Sequence, residues 1–257
     1  MIRILWLVDR PLGARCLEFA AASPAAGVCG VVSVPDHATH WWGQATFQRW
    51  AASRGLPWFD ASAVSLAVEE TRPDLLLSVL FTRRVPSEIV RRIRSINLHC
   101  APLPEYAGSN ATLWAVLNDE RRFGATLHEM SDRFDEGPIV AAGGFEVPAG
   151  ITNAELYALA HDDGFRLLSR NFEQLVTGAY VARPQSGPRR EFKRADLPSR
   201  ELDPSMDAAT VARLARAFHF PPFEPAYFTI EGRRYHVMPA PVAGRPGGRE
   251  DHPVPGL

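Results

Sequence analysis

Through the first 150 residues, short continuous apolar runs alternate with stretches whose apolar positions recur at helical spacing. "IRILWLV", "GVCGVVSV", "LPWF", "LLLSVLF" and "SINLH" read as strands. "GARCLEFAAA", "GQATFQRWAASRG", "AVSLAVEET" and "PSEIVRRI" read as the helices between them, punctuated by Gly55, Pro73 and Pro86. Strands that are apolar throughout need cover on both faces, so the pattern predicts a parallel sheet between two helical layers.

After Gly108 the pattern changes. "NATLWAVLNDE" reads as a helix with Asn110 at its N-cap, and "FGATLHEM" and "PIVAAGGFEV" as two strands without a helix between them, which makes the sheet mixed. A long amphipathic helix over "TNAELYALAHDDGFRLLSRNFEQLVTG" would bury Leu156, Ala160, Leu167, Phe172 and Leu175 and end at Gly178. Arg, Pro and Ser then dominate, which predicts an extended linker over 181–206. A helix and a hairpin turning at Glu231-Gly232 occupy 207–240, and 241–257 reads as a disordered tail.

Composition changes this picture little. A chain of 257 residues with 46% hydrophobic and 22% charged positions can bury a sizeable core. A net charge of −1 gives no global field for nucleic acid or an anionic membrane. Cys16, Cys29 and Cys100 are scattered, without a zinc or disulfide spacing, which fits a reducing cytoplasm. Neither a signal peptide nor a membrane-length apolar run is expected.

The candidate chemistry lies at the end of "SINLH". Residues two apart on a strand share a face, so Asn97 and His99 converge while Leu98 points into the sheet. In open α/β sheets ligands bind beyond the carboxyl ends of the strands, which is where this pair sits. An imidazole takes up a proton near neutral pH and a carboxamide N–H stabilises an oxyanion, as acyl transfer to an amine requires. Asp135, in the loop "SDRFDEGPI", is the candidate carboxylate that would orient the imidazole and support its charge. By itself Asn-x-His is a weak signal, since strand-end histidines are commonly only satisfied polar residues.

The block "NLHCAPLPEYAGSNATLWAVLNDERRFGATLHEMSDRFDEGPI", 97–139, resembles the folate-dependent formyltransferases. The matching positions are Asn97, His99, Leu103-Pro104, Tyr106, Gly108, Trp114-Ala115, Asn118, Gly124, Thr126, His128, Asp135 and Gly137. The resemblance implies a catalytic set of Asn97, His99 and Asp135 with N10-formyltetrahydrofolate as donor and no metal. It implies an α/β fold: a Rossmann-like, open, mostly parallel sheet flanked by helices over 1–180, with a small C-terminal helix plus β-hairpin subdomain. In such enzymes the segments matching Leu80, Phe81, Thr82, Arg83 and Val85, and Arg133 and Phe134, wrap the pterin.

Ala101-Pro102 and Ala107 depart from the family's common pattern, and an "APLP" loop is similar to the branch that formylates amino groups on nucleotide-linked sugars. The aromatic-Phe-Pro-Pro segment before the hairpin and "WWG" at Trp41–Gly43 look like the same branch. Acceptor contacts are therefore expected at Trp41, Pro102, Leu103, Tyr106, Asn110, Phe220 and Tyr227, with a homodimer formed through the hairpin. Methionyl-tRNA formyltransferase carries a β-barrel for tRNA, for which the roughly fifty residues after the linker are too few. Glycinamide ribonucleotide transformylase has a Gly/Ser-rich phosphate loop where this chain has "DRPLGARC". A non-sugar amine acceptor stays open, as does a folate-binding scaffold without turnover. His128 is expected to be structural, and Cys100 to point away from the site. His99, His128 and Asp135 match no metal spacing such as HExxH.

Overall fold

The computed structural model describes residues 1–37, 39–44 and 46–240. The expected disordered tail, 241–257, lies outside the described residues. The first half alternates strands β1 (Ile2–Val8), β2 (Ala26–Ser33), β3 (Trp58–Asp60), β4 (Leu75–Val79) and β5 (Arg94–His99) with helices α1 (Arg10–Ala21), α2 (Phe47–Ser53), α3 (Val64–Thr71) and α4 (Ser87–Arg92). There follow α5 (Ala111–Leu117), β6 (Thr126–Glu129), β7 (Ile139–Ala142), α6 (Asn153–Thr177), α7 (Ala208–Phe218) and the hairpin β8 (Tyr227–Ile230) and β9 (Arg233–His236).

The seven-stranded sheet has the order β7-β6-β5-β4-β1-β2-β3. Its first five strands in sequence are parallel, and β6 and β7 join antiparallel at one edge. The chain leaves β1 towards β2 and β3 and returns to β4 on the other side, so the order switches between β1 and β4. A crevice opens at such a point beyond the strand ends.

Alternation along β1 explains the layering. Ile4, Trp6 and Val8 pack with Leu17 and Phe172 on one side, while Leu5 and Leu7 pack with Val64, Val68 and Ile89 on the other. Burying each such side chain contributes about 1.5–3 kcal/mol, so both helical layers are held firmly. α6 opens with a capping box between Thr152 and Glu155, and it closes, as expected, on Gly178 at φ +77°. A third cluster, including Tyr106, Leu113, Leu156, Leu214 and Phe218, ties α5, α6 and α7 together.

Two expectations change. Asn110 occupies the N-cap position of α5 at φ +57°, but its side chain makes no capping hydrogen bond. The segment expected to be a linker is docked: Glu191–Phe192 pairs with Ala107–Gly108, and Arg183 bridges Ile139. Gly108 permits this, because at φ +90° its place for a β-carbon lies 2.3 Å from the Phe192 carbonyl oxygen. Among the described residues no helix is long and apolar enough to cross a membrane.

Candidate active site

β5 delivers Asn97 and His99 half-buried at its end, with Ile96 and Leu98 buried between and before them. In the antiparallel pairing with β6, His128 stands opposite Asn97 and Thr126 opposite His99. That register builds a hydrogen-bonded frame. Ser78, on β4, donates its hydroxyl to Asn97 Oδ1 at 2.7 Å. Asn97 Nδ2 lies 3.0 Å from His128 Nε2, and His128 Nδ1 lies 2.8 Å from the Glu129 carbonyl. A carbonyl only accepts, so His128 carries its proton on Nδ1 and receives an Asn97 N–H on Nε2. The amide is thereby locked with its second N–H left for the cavity that Asn97 lines. Thr126 holds the following loop, donating to the Ala101 carbonyl at 2.8 Å and accepting from the Leu103 N–H at 3.2 Å.

His99 is held differently from the expectation. Its Nε2 donates to the Tyr106 carbonyl at 2.8 Å, so the Tyr106 backbone, rather than Asp135, fixes the ring. The free lone pair is on Nδ1, 3.6 Å from Asp135 Oδ1. Proton uptake at Nδ1 would create an imidazolium facing a carboxylate at that distance. His128 Nε2 also lies 3.7 Å from Asp135 Oδ1, beyond hydrogen-bond reach. Burial pushes the Asp135 carboxyl up, but the positive charge of a protonated His99 imidazole and the Gly108 N–H outweigh it and hold it well below the usual carboxylate range. The Gly108 N–H donates to Asp135 Oδ2 at 2.9 Å.

Asp135 itself has a left-handed backbone, φ +55°. Its carbonyl accepts from Gln185 Nε2 at 2.8 Å and Arg189 Nη1 at 3.0 Å, and Gln185 also reaches the Gly137 carbonyl at 2.8 Å. The docked segment is therefore a strap over the loop that carries the carboxylate. Arg189→Ala is expected to lower kcat about threefold to tenfold with KM little changed, the scale of one ordinary hydrogen bond. Steady-state kinetics that move KM alone would contradict this.

These groups open on a cavity of about 790 Å³. One side is apolar, with Leu80, Phe81, Val85, Val90, Met130 and Phe134, and exposed Arg83 and Arg133 stand beside it. Arg84 is anchored there on the Asp132 carbonyl at 2.5 Å. A flat heteroaromatic ring with an anionic tail fits this surface. The cavity is also lined by a group of flat rings and one cation, Arg10, Trp41, Tyr157, Phe220 and Phe223.

Residues 57–171 match the model of the formyl transferase family. That stretch, 115 of the 257 residues, is similar to a formyl transferase domain. A GDP-perosamine N-formyltransferase from Brucella melitensis is 30% identical over 181 residues, 64% of this chain and 64% of that protein. A methionyl-tRNA formyltransferase from Novosphingobium aromaticivorans is 33% identical over 160 residues, 61% of this chain and 52% of that protein. The alignments thus span between half and two thirds of these relatives' length. The N-formyltransferase from Helicobacter canadensis, solved with folinic acid and dTDP-3-aminofucose, shares the fold with a TM-score of 0.73 at 20% identity, covering 91% of this chain and 86% of that one.

The structure brings together Asn97, His99 and Asp135. Leu80, Phe81, Thr82, Arg83, Val85, Arg133, Phe134, Trp41, Asn110 and Phe220 all line the same cavity. Pro102, Leu103, Tyr106 and Tyr227 are absent from its lining. Tyr106 is 1% exposed, with its hydroxyl donating to Glu120 at 2.7 Å and accepting from Asn118 at 2.9 Å. Its side chain is core, and only its carbonyl reaches the site. Leu103 is spent on Thr126, and Tyr227 is buried under the Arg234 guanidinium, 4.5 Å from its ring centroid. Ser78, Gln185, Arg189 and Arg10 were not anticipated. Ser78 had a signal, a single hydroxyl inside an apolar strand.

Proposed function

We propose that the chain is an N-formyltransferase that uses N10-formyltetrahydrofolate to formylate the amino group of a nucleotide-linked amino sugar. The observation carrying this is the Asn97–His99–Asp135 set, with the Asn97 amide locked by Ser78 and His128. The donor supplies an activated formyl carbon. Asn97 directs its free Nδ2–H at the formyl oxygen, where negative charge develops. His99 takes the proton of the attacking amine on Nδ1, and Asp135 stabilises the resulting imidazolium. The same proton is then available to the departing tetrahydrofolate nitrogen. All of this is done by positioning and proton transfer, without a covalent enzyme intermediate.

The acceptor class rests on the likeness to the GDP-perosamine enzyme and on the fold shared with the dTDP-3-aminofucose-bound structure. A net charge of −1 gives this sequence no global basic field for tRNA. Incubation with donor and a panel of UDP-, GDP- and dTDP-linked amino sugars should yield a formylated product visible by mass spectrometry. Turnover of a free amino acid or other non-sugar amine, with none of the nucleotide sugars accepted, would sink the reading.

A further inference from the structure

The end of β1 carries a cation that the chemistry above does not use. Arg10 is partly buried, lines the cavity and sits beside the switch in strand order between β1 and β4. Its backbone is left-handed at φ +60°, a conformation that costs a residue with a β-carbon about 1–2 kcal/mol. Its Nε is buried without a hydrogen-bond partner. Nη1 makes only a long contact with the Tyr157 hydroxyl, at 3.5 Å. The neighbouring Asp9 carboxylate is turned to the Thr82 hydroxyl at 3.2 Å, and among the described residues Arg10 forms no ion pair. A buried Nε–H without an acceptor is unfavourable, so the position suits a ligand group that the chain does not itself contain.

Flat faces surround it. The guanidinium carbon lies 5.6 Å from the Trp41 ring centroid, and Trp41 meets Phe220 at 5.0 Å and Tyr157 at 5.7 Å. His161 packs on Tyr157 at 3.7 Å, and its buried Nε2 is likewise unpartnered. Burial pushes the His161 imidazole down to about 3, so of these two groups Arg10 is the one that carries a fixed positive charge. On the apolar side, Arg83 and Arg133 are exposed and suited to an anionic tail of the donor. Two anionic substrates would thus meet separate cations.

We propose that Arg10 grips the diphosphate of the acceptor, its forked N–H groups on phosphate oxygens, with Trp41 and Phe220 covering the adjoining ring. This rests on the acceptor being nucleotide-linked, and it makes Arg10 the residue that separates nucleotide-linked amines from free ones.

Calorimetry on the full chain with UDP, GDP and dTDP, and with the matching nucleosides, tests it in wild type, Arg10→Gln and Arg10→Lys. Tetrahydrofolate binding reports the integrity of the donor side. Arg10→Gln should weaken the bound diphosphate about 10- to 100-fold while nucleoside and tetrahydrofolate binding stay unchanged, and Arg10→Lys should fall between. Equal diphosphate affinity in wild type and Arg10→Gln overturns the Arg10 assignment and leaves the nucleotide-linked acceptor standing. No diphosphate binding to wild type overturns both. If Arg10→Gln does not fold, labelling of wild-type Arg10 by phenylglyoxal decides, read by peptide mass spectrometry. The diphosphate should block it and the nucleoside should not; labelling untouched by diphosphate overturns the proposal.

Discussion

Replacing His99 with alanine should reduce formyl transfer about 100- to 10,000-fold, the range supplied by a positioned proton acceptor. The loss should appear in kcat, because the proton moves only in the reacting complex. Alanine also leaves the Tyr106 carbonyl without its Nε2–H donor, so a small fall in thermal stability is expected alongside. His99→Gln separates the two effects. Its amide N–H can still reach toward the Tyr106 carbonyl, but it has no nitrogen able to take up a proton. A glutamine variant as stable as wild type and equally inactive assigns the loss to chemistry. Turnover near the wild-type level in either variant would remove His99 from the mechanism.

Asp135→Asn should cost about tenfold to a thousandfold in kcat, equivalent to about 1.4–4 kcal/mol of transition-state stabilisation. The carboxylate stands 3.6 Å from His99 Nδ1, so it favours the imidazolium that forms as the amine loses its proton. Asparagine keeps the shape and can still accept the Gly108 N–H, but it removes the charge. Activity should therefore fall at every pH. Stability shows a second signature. The folded carboxyl titrates below its ordinary 3.8, so the stabilisation is fully present above that value and is lost as pH falls from there through the folded pKa. Denaturant titrations from pH 7 to pH 2 should show wild type losing its advantage over Asp135→Asn below about pH 4. Parallel pH–stability curves for the two proteins would contradict this account.

Much of the sheet was legible because its strands are apolar throughout and bounded by Gly and Pro. Asn97 and His99 could be placed on one face by alternation alone. The role of His128 could not, because it depends on the antiparallel register that sets it opposite Asn97. Nor could the fixing of the His99 ring, which a main-chain carbonyl performs and which no side-chain pattern encodes. Tyr106 shows the limit of aromatic counting. A tyrosine in a loop near a site fits substrate or core equally well, and here Phe123 and Phe192 enclose it, with ring centroids at 5.5 and 5.0 Å. Nothing in "DRPLG" distinguishes Arg10 from a solvated arginine, because its place at the cavity depends on the left-handed turn after β1. That the linker docks as a strap is not legible from composition. Arg- and Pro-rich sequence predicts extended backbone, and extended backbone can dock as well as dangle.

That docking bears on how such proteins can be recombined. The family match ends at residue 171, whereas Gln185 and Arg189 lie beyond it. A chimera that joined the first 180 residues to a foreign C-terminal segment would inherit Asn97, His99 and Asp135 intact. It would not inherit the donors that clamp the carbonyl of Asp135, so exchanging what reads as a specificity module would also exchange part of the rigidity of the reaction centre.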